Sequence, residues 1–171
     1  CNDLLDSPAK YRNHIPVGNL KFMGFYFDTI HGIKHIYPLE IPQVLRKEKF
    51  LKREYSIVYG KDLPKEGRYF VKDVDNLKSF SFNGDIMDLP HHTVVEADTL
   101  YQVSTEEVII SEYRVYVLNS KISDISYYNG DPLVFPDVKL IQEMVAVIAV
   151  QEDLPVSYTL DVMVTKKGTA L

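Results

Sequence analysis

Four side chains have the types and positions to do chemistry together. Lys72 closes a short strand-like run, Lys78 lies in the polar stretch after it, Arg114 sits in a long apolar–polar alternation, and Asp161 falls in a late strand-like run. Lysine and arginine neutralise phosphate oxygens, and a carboxylate can hold the magnesium ion that bridges them. Binding of a nucleoside triphosphate uses all four. A plainer use also exists for two of them, because Arg114 and Asp161 could form a buried structural pair.

The elements that must position these groups are legible from periodicity. Residues 108–118 and 121–129 read as two long strands joined at Asn119-Ser120. A period of two puts Glu112, Arg114 and Tyr116 on one face and Tyr113, Val115 and Val117 on the other, so Arg114 faces away from the apolar side. After a turn at Asn129-Gly130-Asp131-Pro132, the spacing of Val138, Ile141, Met144, Val145 and Ile148 predicts a helix over 137–150, capped by Asp137. Asp161 lies in Tyr158-Thr159-Leu160-Asp161-Val162, a strand expected to be largely buried, where a carboxylate requires a partner or a metal. A turn at Lys166-Lys167-Gly168 precedes a further strand from Thr169.

Earlier in the chain, Leu20, Met23, Phe27 and Ile30 mark an amphipathic helix with Asn19 as cap and Gly32 as stop. An extended run over 35–41 leads to a second helix from Pro42 to about Arg53. Its polar face carries Arg46, Lys47, Lys49, Lys52 and Arg53, and reads as solvated surface supported by Glu48 four residues before Lys52. Residues 67–74 form the short strand that ends with Lys72, followed by a loop over 73–85 with Lys78, Ser79, Ser81 and a turn at Asn83-Gly84. His91 and His92 have no second ligand pair at zinc spacing and read as loop histidines. Helices and hairpins come in blocks, which makes the class α+β.

Composition narrows the function classes. The 171 residues, 46% hydrophobic, suffice for a core, and the net charge of -5 excludes a nonspecific grip on nucleic acid through the overall field. No apolar run reaches the roughly 18 residues of a membrane span, and the one cysteine forms no internal disulfide; a cytoplasmic location is expected. Cys1 in place of an initiating methionine and an apolar, strand-like finish at Leu171 suggest that both ends are cut.

The ordered set of Ile15-Pro16-Val17-Gly18, Ile41-Pro42 with the basic helix, Tyr69-Phe70-Val71-Lys72-Asp73-Val74 with Lys78-Ser79-Phe80, Ser111-Glu112-Tyr113-Arg114-Val115, Gly130-Asp131-Pro132 and Tyr158-Thr159-Leu160-Asp161-Val162 resembles the ATP-grasp superfamily, in its divergent carboxylate–amine ligase-like branch. The resemblance implies two small α+β lobes with antiparallel sheets around a nucleotide cleft. Residues 1–41 would be part of a preceding segment, 42–100 the first lobe and 101–171 the second. It implies ATP and Mg2+ as cofactors, carboxylate and amine substrates (small molecules or peptides), and ligation through an acyl phosphate. Lys72 and Lys78 would contact phosphates, Tyr101, Gln102 and Val103 would read adenine, and Glu106 or Glu107 would reach the ribose. Arg114 would stabilise the transferring phosphoryl group and Asp161 would be the first magnesium carboxylate. Three departures from the family pattern stand against turnover. The phosphate loop is reduced to Asn83-Gly84, Ser126-Tyr127-Tyr128-Asn129 replaces basic residues, and a second metal carboxylate would lie beyond Leu171. A nucleotide-binding or interaction module of the same fold, without turnover, is the alternative.

Overall fold

A computed structural model describes residues 6–33, 40–74, 80–89, 95–151 and 155–171. The expected extended run over 35–41 therefore lies mostly outside the described residues, as do Lys78, His91 and His92. The chain divides into two units, Cys1–Pro38 and Leu39–Leu171.

In the first unit a short helix, α1 (Pro8–Tyr11), is followed by α2 (Leu20–His31). The α2 ends are as the sequence predicts: the Asn19 side chain accepts from Phe22 N at 2.9 Å, and Gly32 takes the left-handed conformation. Tyr26 and Ile30 are its buried residues, and the Tyr26 hydroxyl donates to the carbonyls of Tyr11 and His14.

The second unit is built on two antiparallel four-stranded sheets, as expected for the α+β class. The first sheet has the order β1-β4-β2-β3, from β1 (Tyr55–Tyr59), β2 (Arg68–Asp73), β3 (Ser81–Asp85) and β4 (Leu100–Thr105). The second has the order β6-β5-β7-β8, from β5 (Ile109–Leu118), β6 (Lys121–Gly130), β7 (Ser157–Thr165) and β8 (Gly168–Ala170). The changeover between sheets lies at residues 106–108, somewhat after the boundary expected near 101.

The β5–β6 hairpin forms where the alternation placed it. Asn119 and Ser120 both have positive φ, 50° and 59°, which matches the right-handed twist of the flanking strands. The helix after it, α4 (Val138–Ile148), buries Leu140, Ile141, Met144, Val145 and Ile148. Its Asp137 cap accepts from Lys139 N and Leu140 N, while Asp137 N donates to Thr169 Oγ1 at 2.7 Å. These helix residues pack on Tyr113, Val115 and Val117 of β5 and on Tyr158, Leu160 and Val162 of β7, with Leu45, Phe50 and Leu51 completing the cluster. One face of the second sheet is thereby covered. A smaller cluster of Val71, Ile86, Leu89, Tyr101 and Val103 backs the first sheet.

Two expected elements take another form. The continuous helix from Pro42 to Arg53 is broken into a single 3-10 turn (Gln43–Leu45) and the four-residue α3 (Glu48–Leu51), because Lys47 is extended and Lys52 turns left-handed at φ 51°. The break serves packing: it lets Leu45, Phe50 and Leu51 all enter the core. The strained Lys52 is held from both sides, its Nζ donating to Lys167 O at 2.8 Å and its own carbonyl accepting from Lys167 Nζ at 3.2 Å. The second difference is at Asn83-Gly84, which is no turn but lies inside β3, paired with Phe70 and Tyr69 of β2. Among the described residues no helix is long and apolar enough to cross a membrane.

Candidate functional site

Lys72 projects from the face of the first sheet opposite its core cluster. Register puts Lys72 beside Gln102 and Phe70 beside Ser104, so these four share that face. On the second sheet the uncovered face carries Glu112 and Arg114 from β5 and Thr159 and Asp161 from β7. Two adjoining cavities lie between the sheets. The larger, about 750 Å³, reaches Ile41, Gln151, Tyr158 and Thr159; the smaller, about 310 Å³, reaches Phe70, Glu106, Glu107, Tyr128 and Met163. Arg53, Lys72, Gln102, Asp161 and Leu171 line both.

Arg114 and Asp161 stand directly opposite in the β5–β7 register. The guanidinium forks onto the carboxylate, Nε to Oδ1 at 2.6 Å and Nη2 to Oδ2 at 2.7 Å. These bonds hold Arg114 above the ordinary arginine range. The expectation of a buried Asp161 is corrected here: β7 alternates, sending Tyr158, Leu160 and Val162 into the core and leaving the Asp161 side chain 58% exposed. Arg114 and Asp161 thus pair on the open face, where an ion pair contributes only about 0.2–1 kcal/mol.

Lys72 is half-buried and has no hydrogen-bond or ion-pair partner among the described residues. Arg53, which the sequence assigned to a solvated helix face, is instead the second cation of the cleft. The left-handed turn at Lys52 ends the helix one residue early and turns Arg53 inward, where Met163 Sδ at 3.6 Å is its hydrogen-bond acceptor. Burial pushes its guanidinium below the ordinary value, against the opposing pull of Glu107 and Tyr55. Nothing in the residue pattern marks that turn, since lysine is not a residue that usually supplies it.

The other expected ligand residues are distributed differently. Tyr101 and Val103 point into the core behind the first sheet, and residues 101–104 are paired on both edges, with β1 and with β2. Gln102 alone of the three lines the cleft. Glu106 is engaged by Arg68, whose Nε and Nη2 both bond its carboxylate; Arg68 and the Asn83 amide hold Glu106 below the usual carboxylate range. Glu107 accepts from Lys167 Nζ at 2.5 Å. Glu112, which also lines the smaller cavity, accepts from the Asn129 amide at 3.0 Å.

Residues 50–171 match the family model of an ATP-grasp domain, the second family of its clade. The chain belongs to the ATP-grasp family. A search of curated proteins finds no match to it. The match covers both sheets and the cleft between them, so the two antiparallel sheets of the second unit are those of an ATP-grasp domain. Domains of this family bind ATP, usually with Mg2+, and have ATP-dependent ligase-like or nucleotide-binding functions.

The donor set can be tested against magnesium. No group of three or more His, Cys, Asp or Glu residues suited to a metal occurs among the described residues, and both oxygens of Asp161 are bonded to Arg114. One hard carboxylate fits a Mg2+ ion that keeps most of its ligands as waters and substrate phosphate oxygens. It does not make a cage that would hold the ion without them.

Proposed function

We propose that this ATP-grasp domain is a carboxylate–amine ligase that works through an acyl phosphate. What supports the reading is the pair of cations, Lys72 and Arg53, which line both cavities beside Asp161 without a carboxylate bonded to either. Positive groups held in a cleft without counter-charges are suited to a polyanion, and phosphate oxygens are the anions that ATP brings.

In this reading Lys72 and Arg53 bind phosphate oxygens, with Lys78 joining from the stretch after β2. Gln102 and the backbone at residues 107–108, beyond the β4 ladder, face the adenine, and the carboxylates of Glu106 and Glu107 flank the ribose. A substrate carboxylate oxygen takes the terminal phosphoryl group, the bond to ADP breaks, and an amine then displaces phosphate from the acyl carbon with loss of a proton. Arg114 stabilises the charge on the transferring group. Magnesium, when bound at Asp161 with the phosphates, would neutralise that charge further. Such a site accelerates the reaction by positioning and electrostatics, since the transfer asks little covalent chemistry of the protein.

A second reading is a nucleotide-binding module without turnover. It is favoured by one observation, the neutralisation of Asp161 by Arg114. Two measurements separate the readings. Mg·ATP should raise the thermal midpoint under either, because a ligand of the native state stabilises it by mass action. Phosphate release with a library of carboxylates and amines should appear only for a ligase, and should be abolished by Arg114→Ala or Asp161→Ala with the fold intact. Undiminished release in both variants would overturn the site.

A further inference from the structure

Tyr128 has no part in the reading above, yet its position is built with care. Along the β5–β6 ladder Glu112 faces Asn129 while Tyr113 faces Tyr127, so Tyr128 is the extra residue of a β-bulge. A bulge re-aims the side chain it carries. The neighbouring Tyr127 packs edge-on against Tyr113 and donates its hydroxyl to Gly130 O at 2.6 Å. The Tyr128 ring instead lines the smaller cavity and lies with its centroid 5.2 Å from Arg114 Cζ. Arg114 therefore has two partners of different kinds, the Asp161 carboxylate and the face of Tyr128, and both of these line that cavity.

The two partners respond differently when a ligand arrives. A carboxylate that turns to another cation lets go of the guanidinium fork. An aromatic face does not, and because it contacts the plane of the guanidinium it leaves the in-plane N–H donors free. We infer that Tyr128 is a positioning residue for Arg114, keeping the guanidinium at the cleft wall with its donors available when Asp161 is drawn to the cation of a magnesium–nucleotide. This rests on the nucleotide reading for its purpose, while the Tyr128–Arg114 contact itself is independent of it.

The test uses Tyr128→Phe, which keeps the face, and Tyr128→Leu, which keeps apolar bulk without it, in the full chain. First, the Arg114 Nε–Hε resonance of the free protein is followed by NMR and assigned with Arg114→Lys. Ring current should hold it upfield in the wild type and in Tyr128→Phe, and Tyr128→Leu should release it. Second, calorimetry with a magnesium complex of a non-hydrolysable ATP analogue should show affinity roughly two- to fivefold weaker in Tyr128→Leu and unchanged in Tyr128→Phe, as expected for an exposed cation–aromatic contact. An unmoved Arg114 resonance in Tyr128→Leu overturns the inference, and so does a released resonance with unchanged affinity. If the wild type binds no nucleotide, the proposed function fails, and the resonance alone then decides whether Tyr128 holds Arg114.

Discussion

The two sheets of the ATP-grasp domain have the same strand number and the same antiparallel pairing, but they bring opposite electrostatic arrangements to the cleft. The second sheet meets it with a charge already balanced, Arg114 forked onto Asp161. The first sheet presents Lys72, with no partner among the described residues. Their backing differs as well. The second sheet is closed behind by α4 and the residues around α3, whereas a smaller cluster backs the first. The well-packed sheet thus carries the internally satisfied pair, and the thinner one carries the group that waits for an anion. An anionic ligand gains most from the first wall, and the second has to be rearranged before it contributes fully.

Mutations can break this contrast in order of size. Ile141→Ala, in the fully buried centre of the second sheet's core, should cost about 2–5 kcal/mol in chemical denaturation, the range for removing a large buried aliphatic group. Lys72→Ala should leave denaturation nearly unchanged but weaken Mg·ATP binding by about 1.5–3 kcal/mol in calorimetry, the range for a hydrogen bond to a charged group. An equal loss of stability would show that Lys72 already has a structural partner. Asp161→Asn should lower stability by no more than about 1 kcal/mol, because the pair it breaks is solvent-exposed. A larger loss would make the pair structural and weaken the contrast between the sheets.

The smallest expected effect is on the acid limb of stability. Arg68 holds the Glu106 carboxyl below its usual range, so the folded pKa lies under the unfolded value of about 4.3. The contribution is present above the unfolded value and is lost as pH falls through the folded one. The difference in stability between the wild type and Arg68→Ala should therefore be flat at neutral pH and shrink below about pH 4. A difference that persists at low pH would assign the Arg68 effect to packing.

Much of this is legible in the sequence, and the failures have physical causes. The β5–β6 hairpin and α4 are readable because each has one buried face, so the periods of two and 3.6 are written in apolar residues. The same logic is present at β7, where Thr159 and Asp161 alternate with Tyr158, Leu160 and Val162. The following Met163 and Val164 are apolar too, and they obscure the alternation. Asn83-Gly84 has the composition of a turn, but residues 81–85 pair with β2 and tertiary pairing decides. The break between Leu45 and α3 is not readable, since the basic residues fit a helix face equally well until the packing of Phe50 and Leu51 is known. The inward turn of Arg53 escapes a sequence reading for the same reason. Lys72, Gln102 and Asp161 can be placed in the cleft because strand alternation fixes which way they point.

The core behind the second sheet joins residues that are made far apart in time. Leu45, Phe50 and Leu51 are covered by β7 and by Leu171, whose N–H donates to Phe50 O at 2.9 Å. On an elongating chain these side chains stay exposed until more than a hundred further residues have been synthesised, while the pairings of the first sheet close over shorter spans. Contacts of such long sequence separation slow folding, and they leave an apolar segment uncovered meanwhile. The stretch around α3 is accordingly where a nascent chain of this protein would most need a chaperone.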